Sequence, residues 1–342
     1  MLRYLVLAAC ASLACAADSD NVETDEPRNI AGFVPAKWIS YAALGLFGLS
    51  GFIHWLHLFR NGHKYMLPLT LGMTGMCAGF AIRILYANSV DSLGLYIGMT
   101  MFILLSPCLF LAQDYMLLHR LADSLGEDVA KSCLLIRSSR ITKIFVTSDV
   151  VTFFLQASGG GMSAASSEMA KWGPKIALFG LGVQLVCFLG FCVILGVFAI
   201  RVRKRFPHLA YPARPFRFSG YSAFSTDYVP DWRILVTVMA ITCGGIIIRS
   251  IYRLAEYAEG RDGVLATKEA YFYLLDALPL WISMTLYAWL WPTRVINGVE
   301  EADDAGRMTG YPVADRHAPW TSRQGSGVGM SKMSRLNSDD SV

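Results

Sequence analysis

Seven apolar runs alternate with polar segments along the chain, at about 36–59, 67–86, 93–118, 141–162, 175–200, 232–252 and 270–291. Each approaches or exceeds the ~20 residues that a helix needs to cross hydrocarbon. In lipid a helix satisfies its own backbone N–H and C=O groups, which an isolated strand cannot do. The pattern predicts an all-α membrane protein, a seven-transmembrane helix bundle over residues 36–292. Ahead of the first run, Arg3, the apolar stretch from Tyr4 to Leu13 and the small residues Ala14-Cys15-Ala16 predict a signal peptide over 1–16. Its apolar core is too short to span a bilayer. A short acidic extracytosolic tail, 17–35, follows it. After the last run, residues 293–342 are polar, rich in Gly and Ser and without an apolar period, which predicts a disordered tail.

Loop charge orients the bundle. The segment 60–66 carries Arg60 and Lys64, and 119–140 carries Arg120, Lys131, Arg137 and Arg140. The segment 201–231 carries Arg201, Arg203, Lys204, Arg205, Arg214 and Arg217. The alternate segments are poorer: 87–92 has no Lys or Arg, 163–174 has only Lys171, and 253–269 has Arg253, Arg261 and Lys268. Basic loops stay in the cytosol. That sets the N-terminus outside and the C-terminus inside, the topology a signal peptide also imposes. The C-terminal tail would then be open to cytosolic regulators. The plasma membrane or another membrane of the secretory pathway is the expected location. Charged residues make up 16% of the chain, against about 25% in soluble domains. The net charge of +4 therefore reads as topology, with no nucleic-acid surface.

Polar residues inside the runs are the candidates for function, because a charge within the bilayer is costly. The run from Ile141 to Met162 carries Asp149 and Gln156 and closes on Gly159, Gly160 and Gly161. On a helix Asp149 and Gln156 share one face, about 10 Å apart. The topology places Arg83, Arg249, Arg253, Glu256, Glu269 and Asp276 in an outer charge layer. Arg249, Tyr252, Arg253 and Glu256 share a face by their spacing, as do Glu269, Tyr273 and Asp276. Opposite charges at one depth pair, since an unpaired buried ion is costly, and Asp276 is expected to take Arg249 or Arg83. An inner layer holds Asp114 and Asp149, with His54 and His57 as candidate partners. Gln156 and Gln184 lie between the layers. Asp149, Gln156, Gln184, Tyr252, Tyr273 and Asp276 are the substrate-pathway candidates. Arg83, Arg249, Arg253, Glu256 and Glu269 are the candidate structural ion pairs. For the two glutamines, hydrogen bonding between helices is the alternative role. For the two histidines it is placement at the interface. Gly75 and Gly79 form a GxxxG pair, which predicts close packing inside the bundle.

Catalytic signatures are missing. The chain has no GxxxxGK[ST], GxSxG or HExxH, so no catalytic residue, nucleotide site or cofactor is expected. His54 and His57 lack a third ligand for a metal. Cys10 and Cys15 lie in the signal segment, and Cys77, Cys108, Cys187, Cys192 and Cys243 fall in apolar runs. Cys133 falls in a loop read as cytosolic. These read as packing thiols rather than a disulfide framework or a zinc site.

The stretch KIFVTSDVVTFFLQASGGG, Lys143 to Gly161, resembles the signature of the fungal lipid-translocating exporters. These are seven-helix proteins linked to resistance to aminosterols, other toxic sterols and sphingoid bases. The second half is similar to the family as well. It carries Arg249, Tyr252, Arg253, Glu256 and Tyr257, then Gly260-x-Asp262-Gly263, Glu269, and Tyr273-x-x-Asp276-x-x-Pro279. Pro107, Tyr115, Arg120 and Gln184 also match, so the resemblance covers about residues 36 to 292. The chain departs from the family at Ser148 and His119, where Gly is usual, at Trp291, where His is usual, and at the polar pair Gln113-Asp114. The resemblance implies translocation or export of an amphipathic lipid. Its headgroup would contact the Asp149–Gln156 face and the outer charge layer, and its tail would stay in lipid. Without a nucleotide motif such movement would be ATP-independent. A seven-helix sensor or receptor regulating lipid-stress responses is the other reading. Its topology and basic third inner loop fit, but no DRY or NPxxY is present. A metal-dependent membrane hydrolase would need more ligands than the few histidines provide.

Cysteine labelling from each side of the membrane tests the topology. Arg203→Cys is expected to react only from the cytosol, and Lys268→Cys only from outside. Outside labelling at position 203 would overturn the orientation.

Overall fold

The computed structural model describes residues 35–61, 63–164, 171–210, 228–260 and 263–308. The expected signal peptide, the acidic tail up to residue 34, Arg214, Arg217, Arg261, Asp262 and the tail beyond residue 308 lie outside the described residues. Every apolar run forms a helix. These are α1 (Lys37–Asn61), α2 (Leu67–Tyr86), α3 (Leu93–Ser124), α5 (Ser138–Ala164), α6 (Gly173–Arg205), α8 (Trp232–Glu259) and α10 (Glu269–Trp289). Among the described connecting residues lie the short helices α4 (Glu127–Cys133), α7 (Pro207–Ala210) and α9 (Val264–Thr267), and a 3-10 turn over Lys64–Met66. A last helix, α11 (Pro292–Met308), follows α10. No strand occurs among the described residues. The chain divides into two units, Met1–Glu300 and Glu301–Val342, and of the second only the end of α11 is described.

Among the described residues five helices are long and apolar enough to cross a membrane: α1, Lys64–Tyr86, α3, α6 and α8. The pair Glu269–Trp289 and Pro292–Glu301, bent by 41°, makes a sixth if it counts as one span. The sequence reading expected seven. The difference is α5, which is long enough at 27 residues but carries many Ser, Thr and Gly residues beside Lys143, Asp149 and Gln156. Its polar face is turned inward. Ile141, Phe145, Asp149, Thr152, Gln156 and Gly159 are buried at spacings of three and four, while Ile144, Val151 and Phe154 stay exposed.

The helices pack in chain order: α1 on α2, α2 on α3, α3 on α5, α5 on α6, α6 on α8, α8 on α10, and α10 back on α1. This closes a ring, and α3 also reaches across it to α8. In lipid the helices cannot rely on the hydrophobic effect, so small residues let backbones approach. A Cβ on Gly79 would stand 2.7 Å from Ile103 Cγ1, so α2 and α3 meet there only through glycine. A Cβ on Gly159 would stand 2.6 Å from the Ala177 nitrogen and the Gly173 oxygen, which fixes α5 against α6. Gly245 does the same for α8 against α10, where a Cβ would lie 2.9 Å from the Pro279 oxygen. The Gly75–Gly79 pair thus packs within the chain.

Two segments differ from expectation. Residues 293–308, read as part of a disordered tail, belong to helix α11. Val295 and Ile296, and Val299 one turn beyond them, are buried, a short apolar face hidden among polar neighbours. The loop 119–140 contains α4. Its last carbonyls accept from the basic end of α6, with Arg205 Nη1 2.6 Å from the Ser132 oxygen and Arg201 Nη1 3.5 Å from the Cys133 oxygen. Cations at a helix C-terminus also complement its dipole.

Candidate functional site

Asp276 lies in a π-helical turn of α10, Phe272–Ala277, and is fully buried. Such turns widen a helix by one residue and recur at functional sites. Arg249 and Arg253 of α8, one turn apart, both reach its carboxylate. Arg249 Nη1 donates to Oδ1. Arg253 donates from Nε to Oδ1 at 2.9 Å and from Nη2 to Oδ2 at 3.1 Å, a two-pronged geometry. The other arm of Arg249 donates to the Ile103 carbonyl of α3 at 3.1 Å. Arg253 Nη1 also donates to Glu256 at 3.1 Å. The sequence reading offered Asp276 either Arg249 or Arg83. Its partners are Arg249 and Arg253, while Arg83 of α2 reaches Glu269 at 2.5 Å. The second oxygen of Glu269 accepts from the Ala36 N–H at 2.8 Å. Arg83 and Arg253 both stand over the Phe272 ring, 4.7 and 5.3 Å from its centroid. Tyr273 shares a 2.8 Å hydrogen bond with Ser40, and the Tyr252 hydroxyl donates to the Leu265 carbonyl at 3.3 Å. Three arginines face three carboxylates, so the layer carries no net charge.

Beside this layer is a partly open cavity of about 190 Å³. Its charged side is formed by Arg83, Arg253, Glu256 and Glu269. Its apolar side comes from α3, with Tyr96, Ile97, Met99, Ile103 and Leu104, and from Phe272 of α10. Gln156, Gly160 and Gly161 of α5 line the remaining wall. The glycine run therefore divides its work. Gly159 seals α5 to α6, whereas a Cβ on Gly160 or Gly161 would meet nothing within 4 Å.

Below the cavity, Gln156 Nε2 donates to Gln184 Oε1 at 2.7 Å, and Gln184 Nε2 faces Cys108 Sγ at 3.6 Å. Asp149 is 2% exposed, and neither carboxylate oxygen has a hydrogen-bond partner among the described residues. Its neighbour across the α3 seam is the Tyr115 hydroxyl, the one side-chain donor set against the carboxylate, at a geometry that falls short of a completed hydrogen bond. Phe145 and Phe191 pack on the Tyr115 ring with centroids 5.2 and 4.6 Å away. Asp114 is held differently. It accepts from the Tyr287 hydroxyl at 2.6 Å and from Thr242 at 3.4 Å.

The histidines are not partners of these acids, which corrects the sequence reading. His54 faces two backbone carbonyls, Ser50 at 2.6 Å and Met284 at 3.2 Å. His57 stacks on Trp291 with centroids 5.1 Å apart. The ring order explains this: α1 packs on α2 and α10, so its buried face meets α10 rather than α3 or α5. Tyr287 and Thr242 were missed as partners of Asp114. Tyr287 lies eleven residues, about three turns, beyond Asp276, so the helical face already named continued to it. Among the described residues no group of three His, Cys, Asp or Glu could hold a metal ion.

The protein family described as "RTA1 like protein" matches residues 69–299. The chain is 29% identical over 252 residues to Protein RTA1 of Saccharomyces cerevisiae, covering 72% of this chain and 73% of that protein. It is 30% identical over 216 residues to Protoporphyrin uptake protein 1 of the same yeast, covering 63% of this chain and 64% of the relative. It is 25% identical over 312 residues to the yeast Sphingoid long-chain base transporter RSB1, covering 84% of this chain and 77% of that protein. No solved structure matches the chain.

The charge layer is open to direct test. Asp276→Ala leaves Arg249 and Arg253 buried together, and is expected to cost roughly 3–5 kcal/mol of stability in detergent. Arg83→Glu and Glu269→Arg are each expected to lower folded yield, and the double exchange to restore part of it. Equal losses in the single and double variants would contradict direct pairing.

Proposed function

The chain belongs to the RTA1-like family, and on that footing we propose that it moves an amphipathic lipid across the membrane without nucleotide. All seven long helices cross the bilayer in this reading, with the N-terminus outside and the C-terminus in the cytosol. The charge layer then faces the outer leaflet of the plasma membrane or a related secretory membrane. The cavity beside it receives the headgroup. Of the pathway candidates Gln156 lines the cavity; Gln184 and Asp149 continue the polar path inward, and Asp276 acts from behind the wall by holding Arg253 in it.

The observation that supports this reading best is the cavity's two-sided lining. Its volume of about 190 Å³ falls below the roughly 300–1,000 Å³ of sites that enclose a whole ligand. A headgroup fits and a long hydrocarbon chain does not, so the chain stays against the apolar α3 wall or in lipid. Relatives bear the names of different cargoes, a sphingoid base and a protoporphyrin. One is an amine and the other a dicarboxylic acid, so family membership alone does not set the charge of the cargo. Here Asp276 is already matched by two arginines, so it offers no spare negative charge. The balanced wall supplies donors and acceptors together. A small headgroup that combines an amine with hydroxyls, as in a sphingoid base, suits it better than a bare anion.

The purified full chain in liposomes, with labelled sphingoid base, sterol and phosphatidylcholine and no nucleotide, tests the proposal. Movement of the sphingoid base is expected above the protein-free rate. Gly160→Leu places bulk in open cavity space, so it should fold normally and reduce movement to the protein-free level. No movement with any probe, together with ligand-dependent recruitment of a cytosolic protein, would favour a receptor instead.

A further inference from the structure

Three carboxylates are buried within the long helices near the bundle interior, and the protein holds them in three ways. Asp276 has two arginines, and Asp114 has two hydroxyl donors. Asp149 has neither, although it is 2% exposed. A bare carboxylate there would forfeit its hydration with nothing in return. Its surroundings hold a single side-chain donor. Both Asp149 oxygens and Gln156 Oε1 are without a completed hydrogen bond, and the Tyr115 hydroxyl, set against the carboxylate, can serve only one oxygen.

Among the described residues no cation faces the group from the helices packed on α5. From α3 come Tyr115, Cys108 and, one residue from Tyr115, Asp114. From α6 come Gln184, bonded to Gln156, and Cys187, which accepts from Ser148 at 3.2 Å. The basic residues of α5 itself, Arg140 and Lys143, are exposed near the start of the helix. Arg249 of α8, which like Asp149 neighbours Cys108, is taken by Asp276 and the Ile103 carbonyl. What the cluster lacks is one proton.

We propose that Asp149 is a proton-binding site that couples lipid movement to a proton gradient. This deepens the transport reading above and rests on it. In each cycle one Asp149 oxygen forms an O–H bond with a proton from water on one side of the membrane. It breaks that bond to water on the other side, and no electrons are transferred. Gln156, two turns away on the same face, lines the cavity and connects the carboxyl to the outer opening. Tyr115 is a positioning residue that orients the carboxyl.

Two measurements on the full chain test this. In liposomes with an internal pH dye and a labelled sphingoid base as probe, an imposed pH gradient is expected to change the rate of lipid movement. Adding lipid is expected to change the internal pH. With Asp149→Asn, whatever movement remains should be the same for either direction of the gradient. Asp149→Glu keeps the acid and should keep the response with a displaced pH profile, and Tyr115→Phe should displace the profile as well. Infrared spectroscopy of the detergent-solubilised chain should show a protonated-carboxyl band that Asp149→Asn removes. Lipid movement that ignores the pH gradient, or follows a sodium gradient at constant pH, would overturn the coupling. Absence of movement with every probe would count against the transport reading and the coupling together. Loss of the infrared band in none of the variants would remove the proton from Asp149.

Discussion

Everything at one end of this bundle depends on a single buried carboxylate. Asp276 is fully enclosed, and only the convergence of Arg249 and Arg253 makes that tolerable. The convergence needs two conditions at once: arginines one turn apart on α8, and a π turn that carries Asp276 on α10. From there the bonds spread outward. Arg249 reaches the α3 backbone, and Arg83 joins α2 to Glu269 at the start of α10. Glu269 in turn holds the Ala36 N–H just before α1. One neutral charge layer thus ties α1, α2, α3, α8 and α10. A buried pair of this kind adds little net stability over an apolar core, but breaking it is costly. Its effect is to fix geometry.

The helices outside that layer are α5 and α6. They meet each other through Gly159 and Gly180, where a Cβ on Gly180 would stand 3.1 Å from Leu155 Cβ. No ion pair joins them to the rest among the described residues. The cavity lies where the charge-tied wall meets this glycine-packed pair, with Arg83 and Arg253 on one side and Gly160 on the other. The division also sorts the polar residues. The carboxylates in the layer are paired with its arginines, whereas the Asp149 oxygens and Gln156 Oε1, both on α5, are left without partners.

Much of this was legible in the sequence because helix geometry and the cost of charge in lipid act locally. The apolar runs marked the long helices, and the spacing of Arg249, Arg253 and Glu256 marked one face. Asp149 and Gln156 on an inward face followed from their separation of seven. What the sequence could not specify was which faces meet. Two arginines at similar depth competed for Asp276, and only the ring order assigns Arg83 to Glu269. The same limit misplaced His54 and His57, whose helix packs against α10. Helix α11 escaped because its buried apolar side chains Val295, Ile296 and Val299 are too few to stand out among polar neighbours, two of which, Thr293 and Arg294, are buried as well.

The central claim is that a lipid headgroup occupies the cavity between the charge layer and the glycine face of α5. A photoreactive sphingoid base, cross-linked to the full chain in liposomes and mapped by mass spectrometry, tests it most directly. The account predicts labels on Tyr96 to Leu104, on Gly160 and Gly161, and on Glu256 to Gly260, all competed by unlabelled lipid. Labels confined to the lipid-facing residues Phe154, Val186 and Ile248, with none in the cavity, would contradict it.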